Sequence, residues 1–263
     1  MDNQIKNWLI KYPSGVQTPK MSLICFPFAG GGTVNYARWR ADLSEEIDLY
    51  AFNLPGRERF FSQPCLTDYH ELIVNISTLI AKISNTPLVF FGHSFGGLTA
   101  YFTALELKKR NQIGPKHVFI SARIPPSVEH QLKIADLDDE EFLATLIKRY
   151  QGIPKEILSN PELMSIFIPI IRQDFKLYEQ YPELLTFYNE KPLNCGLTTL
   201  GFAEDSPKEE LFYGWKKYTL GPYEHVQLPG GHFEILSNWK SIIGYIEDMF
   251  QKTLATGNAS FQR

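Results

Sequence analysis

Cysteine is scarce in this 263-residue chain: Cys25, Cys65 and Cys195 stand far apart and form no C-x-x-C pair. Three widely spaced thiols suggest neither a disulfide framework nor a zinc site, and a reducing compartment suits them. No apolar run approaches the roughly 18 residues of a membrane span. Asp2, Asn3, Lys6 and Lys11 break up the N-terminal stretch, so no signal-peptide core is expected either. Strong charge of one sign is also missing. A formal net charge of −3 at pH 7 argues against a partner bound through phosphate neutralisation. Neither G-x-x-x-x-G-K-S/T nor a complete G-x-G-x-x-G occurs, so a phosphate-cradling loop is not indicated. These absences predict a soluble, cytoplasmic protein without nucleic-acid or membrane partners.

What is present is ordinary globular material, 44% hydrophobic and 21% charged, long enough for one sizeable core. Short β-branched and aromatic runs, at Leu23 to Phe28, Leu49 to Leu54, Leu88 to Phe91, Val118 to Ser121, Leu197 to Phe202 and Glu224 to Leu228, alternate with helical patterns. That alternation predicts an α/β fold, a mostly parallel sheet covered on both faces. Leu72, Ile73, Ile76, Leu79, Ile80 and Ile83 keep helical spacing, as do Phe233, Leu236, Ile243, Ile246 and Phe250. After Ala122 about 70 residues pass before the next strand-like run, far beyond a usual crossover. We therefore expect one domain over 1–263 with a helical lid inserted at approximately 124–192. In it, Asp138 and Glu141 predict a capped helix, and Asn160-Pro161 starts a second that Pro169 should kink. The polar tail after Ala255 is expected to be disordered.

Gly92-His93-Ser94-Phe95-Gly96-Gly97 follows a strand-like run and precedes the helical pattern Leu98 to Leu107. By composition alone G-x-S-x-G arises in roughly one chain in ten of this length, so the pentapeptide is weak and its context decides. A tight strand-to-helix turn flanked by glycines is a nucleophile elbow that projects the Ser94 hydroxyl. A serine needs a base, and the base needs a carboxylate; α/β-hydrolases supply them in the order Ser, Asp or Glu, His. His232, in Gly230-Gly231-His232-Phe233 after the last strand-like run and opening the final helix, is the expected base. His70, His93, His117, His130 and His225 lack a placed partner. Asp205 is the expected acid, in the loop after Leu197 to Phe202, with Glu204 as the fallback. The oxyanion donors are expected to be the amides of Phe95 and of Ala29, in the small-residue loop Phe26 to Gly32, with Phe28 close behind.

Taken together, FPFAGGG, LPGRERF at 54–60, GHSFGG, the inserted segments LDDEEFL, NPEL and FIPIIRQDFKLYEQY, and then GFAED and LPGGHFEIL resemble the type II thioesterases. These are stand-alone editing enzymes of non-ribosomal peptide and polyketide synthesis. The resemblance covers roughly Leu23 to Leu236. It implies an α/β-hydrolase fold and a triad of Ser94, Asp205 and His232, with oxyanion donors at Ala29 and Phe95. It also implies hydrolysis of acyl thioesters on the phosphopantetheine arm of acyl or peptidyl carrier proteins, or on coenzyme A, without metal or organic cofactor. Phe28 stands where His or Tyr is common, Ser206 where Pro is common, and Gln173 interrupts a common R-A-D run. A general carboxylesterase or lipase, or a catalytically silent hydrolase fold that only binds, are the alternatives.

Overall fold

The computed structural model describes residues 5, 7–83, 86–128, 133–150, 160–189 and 191–255. His130 and the polar tail after Ala255 lie outside them. Seven strands form one sheet: β1 (Leu9–Tyr12), β2 (Met21–Phe26), β3 (Ile47–Phe52), β4 (Leu88–His93), β5 (His117–Ser121), β6 (Gly196–Phe202) and β7 (Tyr223–Leu228). Their order is β1-β3-β2-β4-β5-β6-β7. Every pairing is parallel except β1 with β3. Strand β1 escaped the sequence reading because it is four residues long and only partly buried. Its Lys11 sits at the sheet edge, 2.7 Å from Asp48, where a charged residue discourages pairing with another chain.

Among the described residues, the helices of eight or more residues are α1 (Tyr69–Ile80), α2 (Phe95–Lys109), α3 (Asp139–Tyr150), α4 (Pro161–Tyr178), α5 (Tyr181–Tyr188) and α6 (Trp239–Ala255). Side chains alternate across the strands into two cores. Ile24, Phe26 and Phe90 pack with α1 and α2, while Leu23, Cys25, Val89 and Phe91 pack with Trp39 and with Ile242, Ile243 and Ile246 of α6. The stripe at Phe233 to Phe250 is not one helix. A 3-10 turn at Glu234–Leu236 precedes α6, so His232 lies in a loop ahead of it rather than opening the final helix.

Between β5 and β6 the chain runs through α3, α4 and α5. Glu141 N–H donates to Asp138 Oδ1 at 2.9 Å, and the Glu162 and Leu163 amides donate to Asn160 Oδ1, so both expected caps form. Helix α4 passes through Pro169 as one continuous element. Arg172 donates to the Ala135 carbonyl at 2.6 Å and Gln173 to the Leu66 carbonyl at 2.9 Å, which fixes α4 to the chain on either side. No described helix is long and apolar enough to cross a membrane.

Candidate active site

In a parallel sheet the loops beyond the carboxyl ends of the strands gather on one edge, and here those after β2, β4, β6 and β7 carry the candidate site residues. Ser94 sits between β4 and α2 with φ 54° and ψ −116°, a left-handed backbone that L-residues seldom adopt. The flanking glycines permit the turn. A Cβ on Gly92 would collide with the Gly96 backbone, and one on Gly96 with the Phe26 carbonyl. The Ser94 amide donates to the Ser121 carbonyl at 2.8 Å, which ties the elbow to β5. Phe95, the first residue of α2, carries the next amide of the helix N-terminus.

His232 Nδ1 lies 2.7 Å from Asp205 Oδ2, and both side chains are buried. Asp205 Oδ1 accepts the Ser206 amide at 2.7 Å, so both carboxylate oxygens are engaged. Glu204 is exposed; its amide donates to the Gly230 carbonyl, drawing the β6 and β7 loops together. The His232 ring packs 5.1 Å from His93, 5.2 Å from Phe233 and 4.6 Å from Tyr150. Burial, with the neighbouring His232 second, holds His93 well below the ordinary histidine pKa, so it stays neutral; its Nδ1 meets Ser121 Oγ at 3.0 Å.

The loop after β2 is a turn closed by Gly31 N–H to the Phe28 carbonyl at 2.8 Å, with Gly30 at φ +77°, the geometry that calls for glycine at the third turn position. The Gly30 amide donates to Asp174 Oδ2 at 2.7 Å and the Gly32 amide to Asn35 Oδ1 at 2.9 Å. Three successive amides are thus committed within the protein, and Ala29 precedes them at the wall of the site.

Ser94 and His232 line one cavity of about 40 Å³, walled by Phe28, Ala29, Tyr150 and Ile171 among others. A second, of about 10 Å³, reaches Ser94 and Phe95 from the side of Arg123 and Tyr178. Tyr150 lines both. Pockets for organic ligands span roughly 300–1,000 Å³ and one water needs about 10–15 Å³, so the space beside Ser94 is narrow, and side chains of α3 and α4 form part of its wall.

The remaining histidines among the described residues are placed elsewhere. His70 packs on Phe187, His117 bonds Thr198 and His225 bonds Thr199. No group of three potential metal-ligating side chains occurs among the described residues.

A thioesterase-domain family model matches residues 21–250. The chain belongs to the thioesterase family. It is 33% identical over 250 residues to the human "S-acyl fatty acid synthase thioesterase, medium chain", covering 93% of this chain and 91% of that protein. Among solved structures, ClbQ from the colibactin NRPS/PKS pathway superposes with a TM-score of 0.81 at 25% identity, over 90% of this chain and 99% of that one. The type II thioesterase YbtT of the yersiniabactin NRPS/PKS pathway superposes at 0.76 with 27% identity, over 91% and 96%. The fold of this thioesterase is therefore the α/β-hydrolase fold expected from its sequence.

Sequence reasoning assigned no role to Arg57, Glu58, Tyr150 or Asp174, though all four sit at or just behind the site. Arg57 and Asp174 are 117 positions apart, and no local pattern links them. LPGRERF carried a family likeness but no spacing that could point to a partner.

Proposed function

We propose that this thioesterase is a serine hydrolase of acyl thioesters borne on the phosphopantetheine arm of carrier proteins, with an editing or release role in non-ribosomal peptide or polyketide synthesis. The observation that carries the reading is the 2.7 Å Asp205–His232 bond beside the cavity that Ser94 lines. Ser94 Oγ attacks the thioester carbonyl while His232 Nε2 takes its proton, and Asp205 fixes the tautomer and stabilises the imidazolium. The Ala29 and Phe95 amides hold the oxyanion. As the tetrahedral intermediate collapses, the C–S bond breaks and the thiol leaves with the proton from His232. Water then attacks the acyl-Ser94 ester, His232 accepts its proton and returns it to Ser94 Oγ, and the free acid departs. A thiol with a reference pKa of about 8.5 leaves more readily than an alkoxide, so thioesters need less acid assistance. Every step uses side chains, backbone amides and water, and none calls for metal or organic cofactor.

The carrier-bound substrate is supported by the relatives named for NRPS/PKS pathways and by the size of the α3–α5 insertion, which we read as a lid over the acyl chain and a surface for the protein that bears it. Free Cys25, Cys65 and Cys195 support a reducing cytoplasm. The test is one acyl group presented on carrier protein, on coenzyme A and on a simple oxygen ester. We expect kcat/KM to fall in that order, because contacts with the carrier add to transition-state binding. Equal values for carrier and coenzyme A would remove carrier recognition; preference for the oxygen ester would favour a carboxylesterase.

A further inference from the structure

Asp174 of α4 has its side chain buried at 1% exposure, and Arg57 lies against it at 6%. The pair is bidentate: Arg57 Nη2 donates to Asp174 Oδ1 at 2.6 Å and Nη1 to Oδ2 at 2.8 Å. Burial opposes the guanidinium charge, but the adjacent Asp174 outweighs it and raises the Arg57 pKa, so the guanidinium stays charged. Both partners also hold the loop after β2. Asp174 Oδ2 accepts the Gly30 amide at 2.7 Å, and Arg57 Nη1 donates to the Gly31 carbonyl at 3.0 Å. The next residue, Glu58, grips the far end of the same loop. Its carboxylate accepts Thr33 Oγ1 at 2.6 Å, the Val34 amide at 3.0 Å and Asn53 Nδ2 at 2.7 Å. Gly30 itself lies so close to Ile171 of α4 that a Cβ would collide with it.

Stability alone gives little reason to keep such a pair, since apolar residues of similar size often serve as well in a buried position. An apolar pair could not hold Gly30 N–H and Gly31 C=O. We propose that Arg57 and Asp174 are positioning residues that set the Ala29 amide, through the Gly30 and Gly31 peptides, at the angle the oxyanion requires, and so make the oxyanion loop dependent on the seating of α4. The inference rests on the serine-hydrolase reading above. Asp174 fixes the peptide next to Ala29 from outside the turn, adding to the Gly31 N–H to Phe28 carbonyl bond that closes it, at a glycine whose positive φ leaves the backbone more freedom than another residue would. A helix shift that withdraws Asp174 therefore loosens the loop before any substrate contact changes.

The test replaces the pair by Arg57→Met with Asp174→Leu, which removes both charges together and keeps an apolar filling, and separately by Arg57→Lys, which keeps the charge but gives up the fork and the Gly31 bond. Each variant is checked by circular dichroism and thermal melting, then assayed on a short acyl thioester and an acetyl ester too small to span α4. A trifluoromethyl ketone, whose hydrate-like adduct on Ser94 carries an oxyanion, is titrated in parallel. Loss of one oxyanion donor costs roughly 10²–10³ in kcat, and misplacement of about 1 Å roughly 10². We expect kcat to fall about 10- to 100-fold in the double variant, and less in Arg57→Lys. KM should stay within about twofold, and ketone affinity should weaken in step with kcat. A packing role alone would lower the melting temperature and leave both readouts at wild-type values in the folded protein. Wild-type kcat and ketone affinity in either folded variant would overturn the proposal. A wild-type protein inert to both substrates and the ketone would overturn the serine-hydrolase reading instead, and this inference with it.

Discussion

Ser94 occupies a strained turn that costs on the order of 1–3 kcal/mol, held by the glycines around it and by the bond from its amide to β5. Its hydroxyl fills no core space, so Ser94→Ala should lower turnover by several orders of magnitude while the melting temperature moves by no more than a few degrees. Near-wild-type turnover would remove Ser94 as nucleophile. The choice between the two acids in the β6 loop is equally direct. Asp205→Asn should cost on the order of 10⁴ in kcat, because the amide favours the wrong His232 tautomer, whereas Glu204→Gln, altering an exposed side chain, should stay within about twofold. The reverse pattern in steady-state kinetics would move the acid to Glu204. These residues stood out as candidates because each lies in a short motif beside a strand end. Asp174 was not, since a carboxylate on a helix announces nothing until the fold sets it against Arg57.

At the scale of elements, the central parallel strands were readable because burial on both faces makes them continuous apolar runs, while β1, only four residues long, interrupted by Lys11 and partly buried at an edge, gave no such run. The end of α3 carries the clearest expectation about acyl choice. The Tyr150 ring lies 4.6 Å from that of His232 and lines both of the small cavities that reach Ser94. Tyr150→Ala should join them, so the ratio of kcat/KM for a long acyl thioester over a short one should rise several-fold; an unchanged ratio across a chain-length series would deny Tyr150 that role. Strand β5 begins with a different device. Burial lowers the pKa of His117 to about 4, from 6.5 in an unfolded chain, so the unfolded state binds the extra proton first as pH falls. Stability is then complete above about pH 6.5 and declines toward pH 4, by about 3 kcal/mol from this residue at 1.36 kcal/mol per unit. Urea titrations at pH 7.5, 5.5 and 4.5 should show a shallower acid decline for His117→Gln than for wild type. Parallel declines would refute the assignment.

Across the whole molecule, the sheet order brings together segments that the sequence keeps far apart, and that order itself was not readable from the pattern of runs. Periodicity says that a strand exists; which strands become neighbours depends on crossover handedness and on the shared cores, properties of the assembled chain. Ala29, Ser94, Asp205 and His232 follow β2, β4, β6 and β7, and each parallel pairing waits on a crossover that local contacts cannot provide. Asp205 and His232 lie beyond the inserted helices, so on the proposed mechanism a nascent chain made only as far as β5 lacks both acid and base. On that mechanism such a chain would not hydrolyse acyl groups until β6 and β7 complete the far edge of the sheet. On the proposed mechanism, the order in which the polypeptide is made thus withholds the activity from every incomplete copy.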